Sequence, residues 1–181
     1  MGVATKYTFA PDGEVTVSHS ACGLALPMLK VGMRFGIDSA FENCEWYGRG
    51  PWENYCDRKT GSAIALHKMK VAELEHRYMR PQENGHRCDV RSLRFTNGEG
   101  RGIVIEALSD AFGFNAGYYT PEKLDKAKHL FELEKDDYIT VCLDAAERGV
   151  GGDMPGCAYL HKPYKVKSGK VYSFEFRISR I

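Results

Sequence analysis

The segment from Trp46 to Arg58, which reads WYGRGPWENYCDR, concentrates side chains that can bind a sugar. Aromatic rings stack on the face of a pyranose, while carboxylates and guanidinium groups hold its hydroxyls. In a second interpretation, the charges satisfy one another and the rings fill an edge of the core. Residue types alone favour this second interpretation, because structural ion pairs outnumber functional ones. The polar and aromatic residues concerned are Trp46, Tyr47, Arg49, Trp52, Glu53, Asn54, Tyr55, Asp57 and Arg58.

Three further motifs follow this segment along the chain. They are RPQENGHRCDVR (80–91), NAGYYTPEKLDKAKHLFEL (115–133) and RGVGGD (148–153). Together and in this order, the four motifs resemble the C-terminal domain of the family-two β-galactosidases, which are large multidomain glycoside hydrolases. The resemblance runs from YTFAPDGEVTV through LPMLKVGMRFGI to the last strand. It implies that residues 1–181 form a single domain, the C-terminal part of that β-sandwich domain, in a protein that hydrolyses terminal β-galactosides such as lactose.

The resemblance also implies where the chemistry lies. In the family, the catalytic glutamates and the magnesium and sodium sites belong to the barrel region, so we expect no catalytic, metal or cofactor site in this chain. Retaining hydrolysis needs two carboxyl groups about 5 Å apart, which Glu53, Asp57 and Glu83 could supply in principle. We expect them instead to pair with arginines in a structural or interdomain cluster. The arginines are Arg49, Arg58, Arg80, Arg87 and Arg91, and Trp46, Trp52, Asn54, Tyr55 and Gln82 complete the cluster.

The glycine-rich stretch RGVGGDMPGC has two interpretations. It lacks the Gly-Lys-Ser/Thr ending of a phosphate loop. In the family the matching loop reaches the mouth of the active site, which makes Gly151, Gly152, Asp153, Met154 and Gly156 candidates for sugar contact. Where a tryptophan commonly stacks on the leaving sugar, this chain has Gly156, so stacking is lost or shifts to Met154 or Tyr159. The alternative is a tight structural loop that needs glycine for its backbone conformation.

Bulk properties exclude several classes of protein. A chain of 181 residues, 43% apolar and 27% charged, is the size and composition of one globular domain. Its 25 basic and 24 acidic residues give no electrostatic case for binding nucleic acid. We find no membrane-spanning apolar run and no secretory signal, which favours the cytoplasm unless the full protein carries an export signal to the periplasm. The six cysteines form no C-x-x-C pair and are expected to be reduced, and the six histidines show no metal-ligand spacing.

The pattern of elements predicts an all-β fold. Pro11-Asp12-Gly13 predicts a hairpin turn, and the alternation of Tyr172, Phe174 and Phe176 with polar residues predicts a half-buried strand. One helix near 120–133 is predicted from the Thr120 N-cap and Pro121. Residues alone indicate a β-sandwich, and the resemblance implies a partial galactose-mutarotase-like antiparallel supersandwich. Further strands are predicted at Val31–Ile37, Cys44–Tyr47, Ala63–Val71, Val90–Phe95, Gly102–Leu108 and Tyr138–Leu143.

Two rival functions remain beside a truncated β-galactosidase domain. One is a carbohydrate-binding module that holds galactosides through Trp46, Trp52 and Tyr55; the other is a separate small subunit of a heteromeric enzyme. The expected partners are the remaining domains or a catalytic chain, and a galactoside at a composite site. Because the family's domain begins before the stretch that resembles Tyr7, we also expect an exposed sheet edge that self-associates or weakens the monomer.

Overall fold

The computed structural model describes residues 2–22, 28–152 and 159–181. Three candidate loop residues, Asp153, Met154 and Gly156, lie outside the described residues. One α-helix, α1 (Pro121–Lys126), accompanies the strands of the described part. The strands are β1 (Gly2–Phe9), β2 (Val15–Cys22), β3 (Lys30–Asp38), β4 (Asn43–Gly50), β5 (Ala63–Lys70), β6 (Arg87–Val90), β7 (Ser92–Thr96), β8 (Gly102–Ala107), β9 (Phe112–Gly117), β10 (Tyr138–Glu147) and β11 (Tyr172–Arg180).

Two antiparallel sheets enclose the core. The larger sheet has the strand order β1-β2-β11-β8-β7-β4-β5, and the smaller has the order β3-β10-β9-β6. Phe95 and Ile105 of the larger sheet are fully buried in one apolar cluster with Phe114 and Leu143 of the smaller sheet. Removing these large side chains from water is the main favourable contribution to folding. The predicted all-β sandwich is therefore confirmed.

The larger sheet contains the two clearest sequence predictions, in its neighbouring strands β1, β2 and β11. β1 and β2 form the predicted hairpin, paired from Gly2↔Cys22 to Phe9↔Val15. In β11, the side chains of Tyr172, Phe174 and Phe176 are buried as the alternation predicts. β1 is exposed along its whole length and pairs with β2 alone among the described strands. Its outer edge therefore presents unpaired backbone groups.

The single strand predicted for Val90–Phe95 is wrong. The structure divides this stretch into β6 and β7, which belong to different sheets, with Arg91 as the one residue between them. The Arg91 backbone bridges the corner: its N–H donates to Tyr47 O at 2.9 Å, and its carbonyl accepts from the Ala107 N–H at 2.8 Å. Apolar residues are buried on both sides of Arg91, so periodicity could not reveal the change of sheet. β9 was not predicted, because its FGFNAG sequence has two glycines and an asparagine.

The predicted helix is correct at its start and wrong in its length. The Thr120 hydroxyl caps α1, and Pro121 is its first residue. The helix ends at Lys126 instead of continuing towards 133, and a separate 3-10 turn follows at Leu130–Glu132. α1 contains no buried residue, and Phe131 is 85% exposed. A short helix without a packed apolar face has little to extend it.

The cysteines that the structure describes are free thiols, as predicted: Cys22, Cys44, Cys56, Cys88 and Cys142. Among the described residues, no helix is long and apolar enough to cross a membrane.

Candidate functional site

The segment Trp46–Arg58 leaves the larger sheet at the end of β4 and crosses towards the smaller sheet. Trp46 is completely buried, and its indole N–H donates to the Arg49 carbonyl at 2.9 Å. Tyr55 is also buried, whereas Trp52 is 72% exposed. The three rings of the binding-module alternative are therefore divided, because Trp46 and Tyr55 are buried in the core and Trp52 faces outward.

Glu53 is the centre of a fully bonded surface cluster. Its carboxylate accepts hydrogen bonds from Arg58 and the Tyr78 hydroxyl, and from the Gly85 N–H at 2.8 Å. Burial alone would raise the pKa of Glu53, but these donors stabilise the charged form and hold the pKa below its usual value. The predicted pairing of Glu53 with an arginine is confirmed, and the cluster ties the Trp46–Arg58 segment to the RPQENGHRCDVR motif.

Asn54 makes a second tie between the same two motifs. The Cys88 N–H donates to its side-chain oxygen at 2.9 Å, and its own N–H donates to the His86 carbonyl at 2.7 Å. The side chain is completely buried. Buried amide groups need hydrogen-bond partners, and Asn54 and the backbone at the start of β6 supply them to each other.

The remaining arginines do not pair as expected. Arg87 is buried and donates to three backbone carbonyls, those of Leu74, Gly85 and Pro51, at 2.8, 2.5 and 3.1 Å. Its guanidinium carbon lies 5.4 Å from the centroid of the Trp46 ring, a cation–π contact. Burial lowers the pKa of Arg87 to about 10, which leaves it charged at neutral pH.

Arg49 binds a carboxylate that the sequence reasoning did not consider. Its Nε lies 2.5 Å from Asp89 Oδ2, and Lys59 Nζ lies 2.9 Å from the same oxygen. The expected partners were Glu53, Asp57 and Glu83. Asp89 has φ 58, a left-handed conformation that aspartate tolerates better than most residues. Arg91 donates to the Asp89 carbonyl at 2.7 Å, a backbone contact where a carboxylate was expected.

Asp57 joins the Trp46–Arg58 segment to the glycine-rich loop. Its carboxylate accepts a hydrogen bond from the Gly151 N–H at 2.7 Å, across 94 residues of sequence. A Cβ atom at Gly149 would lie 2.4 Å from the Asp57 carboxylate, so a side chain there would displace the carboxylate from its present position. The loop residues Gly151 and Gly152 are exposed. The expected arginine pairing of Asp57 is replaced by this backbone bond.

Glu83 and Gln82 lie in the first half of the RPQENGHRCDVR motif. Glu83 forms an ion pair with Lys30 and accepts from the Asn115 side-chain amide at 3.1 Å. The partner of Glu83 is therefore Lys30 of β3 instead of the expected arginine. Gln82 is exposed, and its carbonyl accepts from the Asn84 side-chain amide at 2.9 Å.

A cleft of about 330 Å³ opens beside these contacts, and sequence reasoning missed its charged residues. At its base, His86 Nδ1 lies 2.5 Å from Glu147 Oε2 and 3.8 Å from Asp144 Oδ2. Lys30 Nζ lies 3.8 Å from the same Asp144 oxygen. One signal was available: Asp144 interrupts the apolar run of β10, in which the five preceding residues are all buried.

The charges in the cleft shift one another strongly. Burial lowers the pKa of His86, but the charge of the Glu147 carboxylate, together with the Cys88 side chain, outweighs burial and raises it to about 10. Burial raises the pKa of Asp144 to about 7, against the opposing effects of Lys30 and His86. Strong shifts of this kind in a cleft are typical of functional sites and of buried ion-pair networks.

Asp144 and Glu147 are two neighbouring carboxylates, but they lack the access that a glycosidase pair needs. One oxygen of each lies within 4.8 Å of the other, and retaining enzymes also use two carboxyl groups near each other. However, the Asp144 side chain is only 2% exposed, so a sugar carbon cannot reach its carboxylate. We therefore assign it no catalytic role, and the expected absence of catalytic residues from this chain stays a prediction.

Comparison with known proteins gives one consistent result. A family model described as the β-galactosidase small chain matches residues 1–178. The chain is 40% identical over 174 residues to a β-galactosidase of Priestia megaterium, covering 95% of this chain and 17% of the relative. It is 34% identical over 184 residues to one of Halalkalibacterium halodurans, covering 99% of this chain and 18% of the relative. A β-galactosidase of Streptococcus thermophilus is 31% identical over 180 residues, with 97% of this chain and 18% of the relative covered.

Proposed function

Because this chain belongs to the β-galactosidase small-chain family, we propose that it is the C-terminal part of a retaining hydrolase of terminal β-galactosides. The chain spans less than a fifth of the length of the relatives compared. The remaining domains are accordingly its partners, and they supply the catalytic residues. This segment contributes scaffold, interdomain packing and one loop of a composite sugar site.

The bond between Asp57 and the Gly151 N–H supports this proposal most directly. It fixes an exposed glycine loop against a polar segment that is itself anchored by Glu53 and Asn54. A loop that contacts substrate needs this kind of support, because a displacement of about 1 Å can cost two orders of magnitude in rate. Gly151 and Gly152 are the described candidates for contact with a galactoside. Asp153, Met154 and Gly156 complete the proposed loop outside the described residues.

A chimaeric enzyme tests the proposal. In the Priestia megaterium relative, the matching segment is replaced by this chain, and hydrolysis of nitrophenyl β-galactoside is measured. We expect the chimaera to be active, the isolated chain to be inactive, and the Asp57→Asn chimaera to lose about tenfold or more of its activity.

Asp125→Asn is the matched control, because Asp125 is an exposed aspartate on α1, in another part of the chain. It should leave the activity of the chimaera unchanged. Turnover by the isolated chain that disappears on mutation of Glu53 or Asp57 would contradict the proposal. An Asp57→Asn chimaera as active as the parent would remove the role proposed for the loop.

The binding-module alternative is disfavoured by the burial of its rings. Trp46 and Tyr55 are buried in the core, which leaves Trp52 as the exposed ring of the proposed three. A single exposed ring holds a sugar weakly, since few contacts offset the loss of freedom on binding. Calorimetry with galactose or lactose should therefore show affinity weaker than about millimolar, whereas micromolar binding would favour the module.

The same contacts are compatible with a second alternative, a separately encoded small subunit. The matching family is described as a small chain, which is a reason to keep this alternative. The exposed strand β1 is the surface we propose for partner contact. Phe9 and Tyr7 are exposed on it, and its outer edge is unpaired among the described strands. Sedimentation at several concentrations should show self-association of the isolated chain, and a concentration-independent, stable monomer would contradict this.

A further inference from the structure

The base of the cleft brings together three side chains that can each supply a metal ligand. The ligand atoms are His86 Nδ1, Asp144 Oδ2 and one carboxylate oxygen of Glu147, all within 4.8 Å of one another. Tetrahedral zinc holds its nitrogen and oxygen ligands at about 2.0–2.2 Å, which separates neighbouring ligand atoms by roughly 3.3 Å. The observed separations of 2.5 Å and 3.8 Å from His86 Nδ1 lie on either side of this value. A shift of about 1 Å or less in two side chains would bring both contacts to it.

Two of these atoms are buried without a hydrogen-bond partner. Asp144 Oδ2 and His86 Nδ1 are inaccessible to water and unsatisfied, and the two side chains are 2% and 5% exposed. Nδ1 lies close to Glu147 Oε2 but is not aligned with it for a hydrogen bond. Leaving a buried charged group unsatisfied is costly, so such atoms call for a bound group. In a metal site, the lone pairs of the ligand atoms point at the cation. Two ligand atoms can therefore lie close together without a hydrogen bond between them.

The cluster also carries a surplus of negative charge. Asp144, Glu147 and Glu83 supply three carboxylates, and among the ion pairs of these three carboxylates Lys30 is the one ammonium, although the wider cleft is also lined by Lys59, Lys165, Lys167 and Lys170. A proton on His86 supplies one of the two missing positive charges, and a divalent cation supplies both. Lys30 forms its close ion pair with Glu83 and lies 3.8 Å from Asp144 Oδ2, beyond hydrogen-bond distance.

From this geometry we propose that His86, Asp144 and Glu147 bind a divalent cation of the zinc class. An imidazole ligand favours zinc and related transition metals over magnesium and calcium, which prefer oxygen alone. All three residues line the cleft, which has room for a water molecule as a fourth ligand, as in open zinc sites. Glu147 is the last residue of β10, directly before the loop that Asp57 holds through Gly151. A cation bound by Glu147 would therefore fix the end of β10 from which that loop begins.

Metal titration of the isolated chain tests the inference separately from galactosidase activity. The chain is stripped with a chelator, and binding of Zn²⁺ is followed by calorimetry and binding of Co²⁺ by visible absorption. We expect one equivalent to bind with a Kd in the micromolar range or below. Glu147→Gln should weaken binding at least tenfold, and His86→Gln should abolish the visible Co²⁺ band, with circular dichroism and Tm recording whether each variant folds.

Glu132→Gln is the matched control. Glu132 also lies beside a histidine, His129, at 2.9 Å, but this pair is exposed and lies beyond the end of α1. It should bind metal as the parent does. Three results would overturn the inference: no saturable binding at equimolar metal, wild-type affinity in folded Glu147→Gln, or the intense near-ultraviolet Co²⁺ band of thiolate ligation by the cleft cysteines Cys56 and Cys88.

Discussion

The surface cluster around Glu53 and the cleft cluster around Asp144 use similar residues in opposite ways. Glu53 accepts hydrogen bonds from Arg58, Tyr78 and the Gly85 N–H, and its pKa is lowered. Asp144 is more deeply buried, keeps one oxygen without a partner, and its pKa is raised. A carboxylate with all its partners in place stabilises the fold. The unpartnered oxygen of Asp144 is one of the atoms to which we assign a bound cation.

Removal of Glu53 should have the largest effect in this comparison. Glu53→Ala deletes a carboxylate with three donors and leaves the Gly85 N–H without its partner, so we expect a loss of about 3 kcal/mol in the free energy of unfolding. Urea denaturation of the isolated chain measures it. A loss below about 1 kcal/mol would mean that water replaces these donors and that the cluster is not structural.

Lowering the pH should reduce the stabilisation that the Glu53 carboxylate provides. Because the pKa of Glu53 is lower in the folded than in the unfolded chain, its stabilisation is present above the unfolded pKa and is lost as the pH falls through the folded pKa. Between about pH 6 and about pH 3, wild type should therefore lose more stability than Glu53→Gln. Parallel Tm profiles for the two proteins would contradict this.

Asp144→Asn should have a small effect on the metal-free chain despite the deeper burial of Asp144. Removing one carboxylate leaves Glu83 and Glu147 opposite Lys30 and a protonated His86, a balanced set. We expect the free energy of unfolding to change by no more than about 1 kcal/mol, measured with chelator present. A loss above about 3 kcal/mol would show that Asp144 is a needed partner, as Glu53 is.

The smallest effect is expected at Glu45, which serves as the control for Glu53. Glu45 lies on β4 and pairs with Lys68 at 2.6 Å, but the lysine side chain is 70% exposed. Glu45→Ala should change stability by less than about 1 kcal/mol, because exposed ion pairs contribute little. A loss as large as that of Glu53→Ala would remove the distinction between a satisfied cluster and a surface pair.

The sequence predicted the fold where local patterns were sufficient. The Pro11-Asp12-Gly13 hairpin and the alternation in β11 both depend on neighbours in the chain, and both were correct. The change of sheet at Arg91 and the early end of α1 depend on packing from elsewhere, which periodicity does not record.

The sequence predicted the polar segment of the candidate site but not the charged residues of its cleft. The segment Trp46–Arg58 was correctly singled out, and Glu53 pairs with Arg58 as expected. Asp57 contacts Gly151 across 94 residues, and His86, the residue before β6, meets Asp144 of β10. Such contacts are set by sheet topology, so no spacing rule for metal ligands or ion pairs could have found them.

The corner at Arg91 has a consequence for how this domain tolerates changes in length. One residue separates two strands that belong to different sheets, and both of its backbone groups are bonded across the corner. An inserted residue would push one strand out of register and turn its buried side chains outward. The turn at 97–100 between β7 and β8 is exposed at positions 98–100, and its backbone bonds, such as the one from the Gly100 N–H to the Asn97 carbonyl at 3.2 Å, stay within the turn instead of joining two sheets. Engineered tags or insertions should therefore be accepted at that turn and rejected at Arg91, although the two positions lie a few residues apart in the gene.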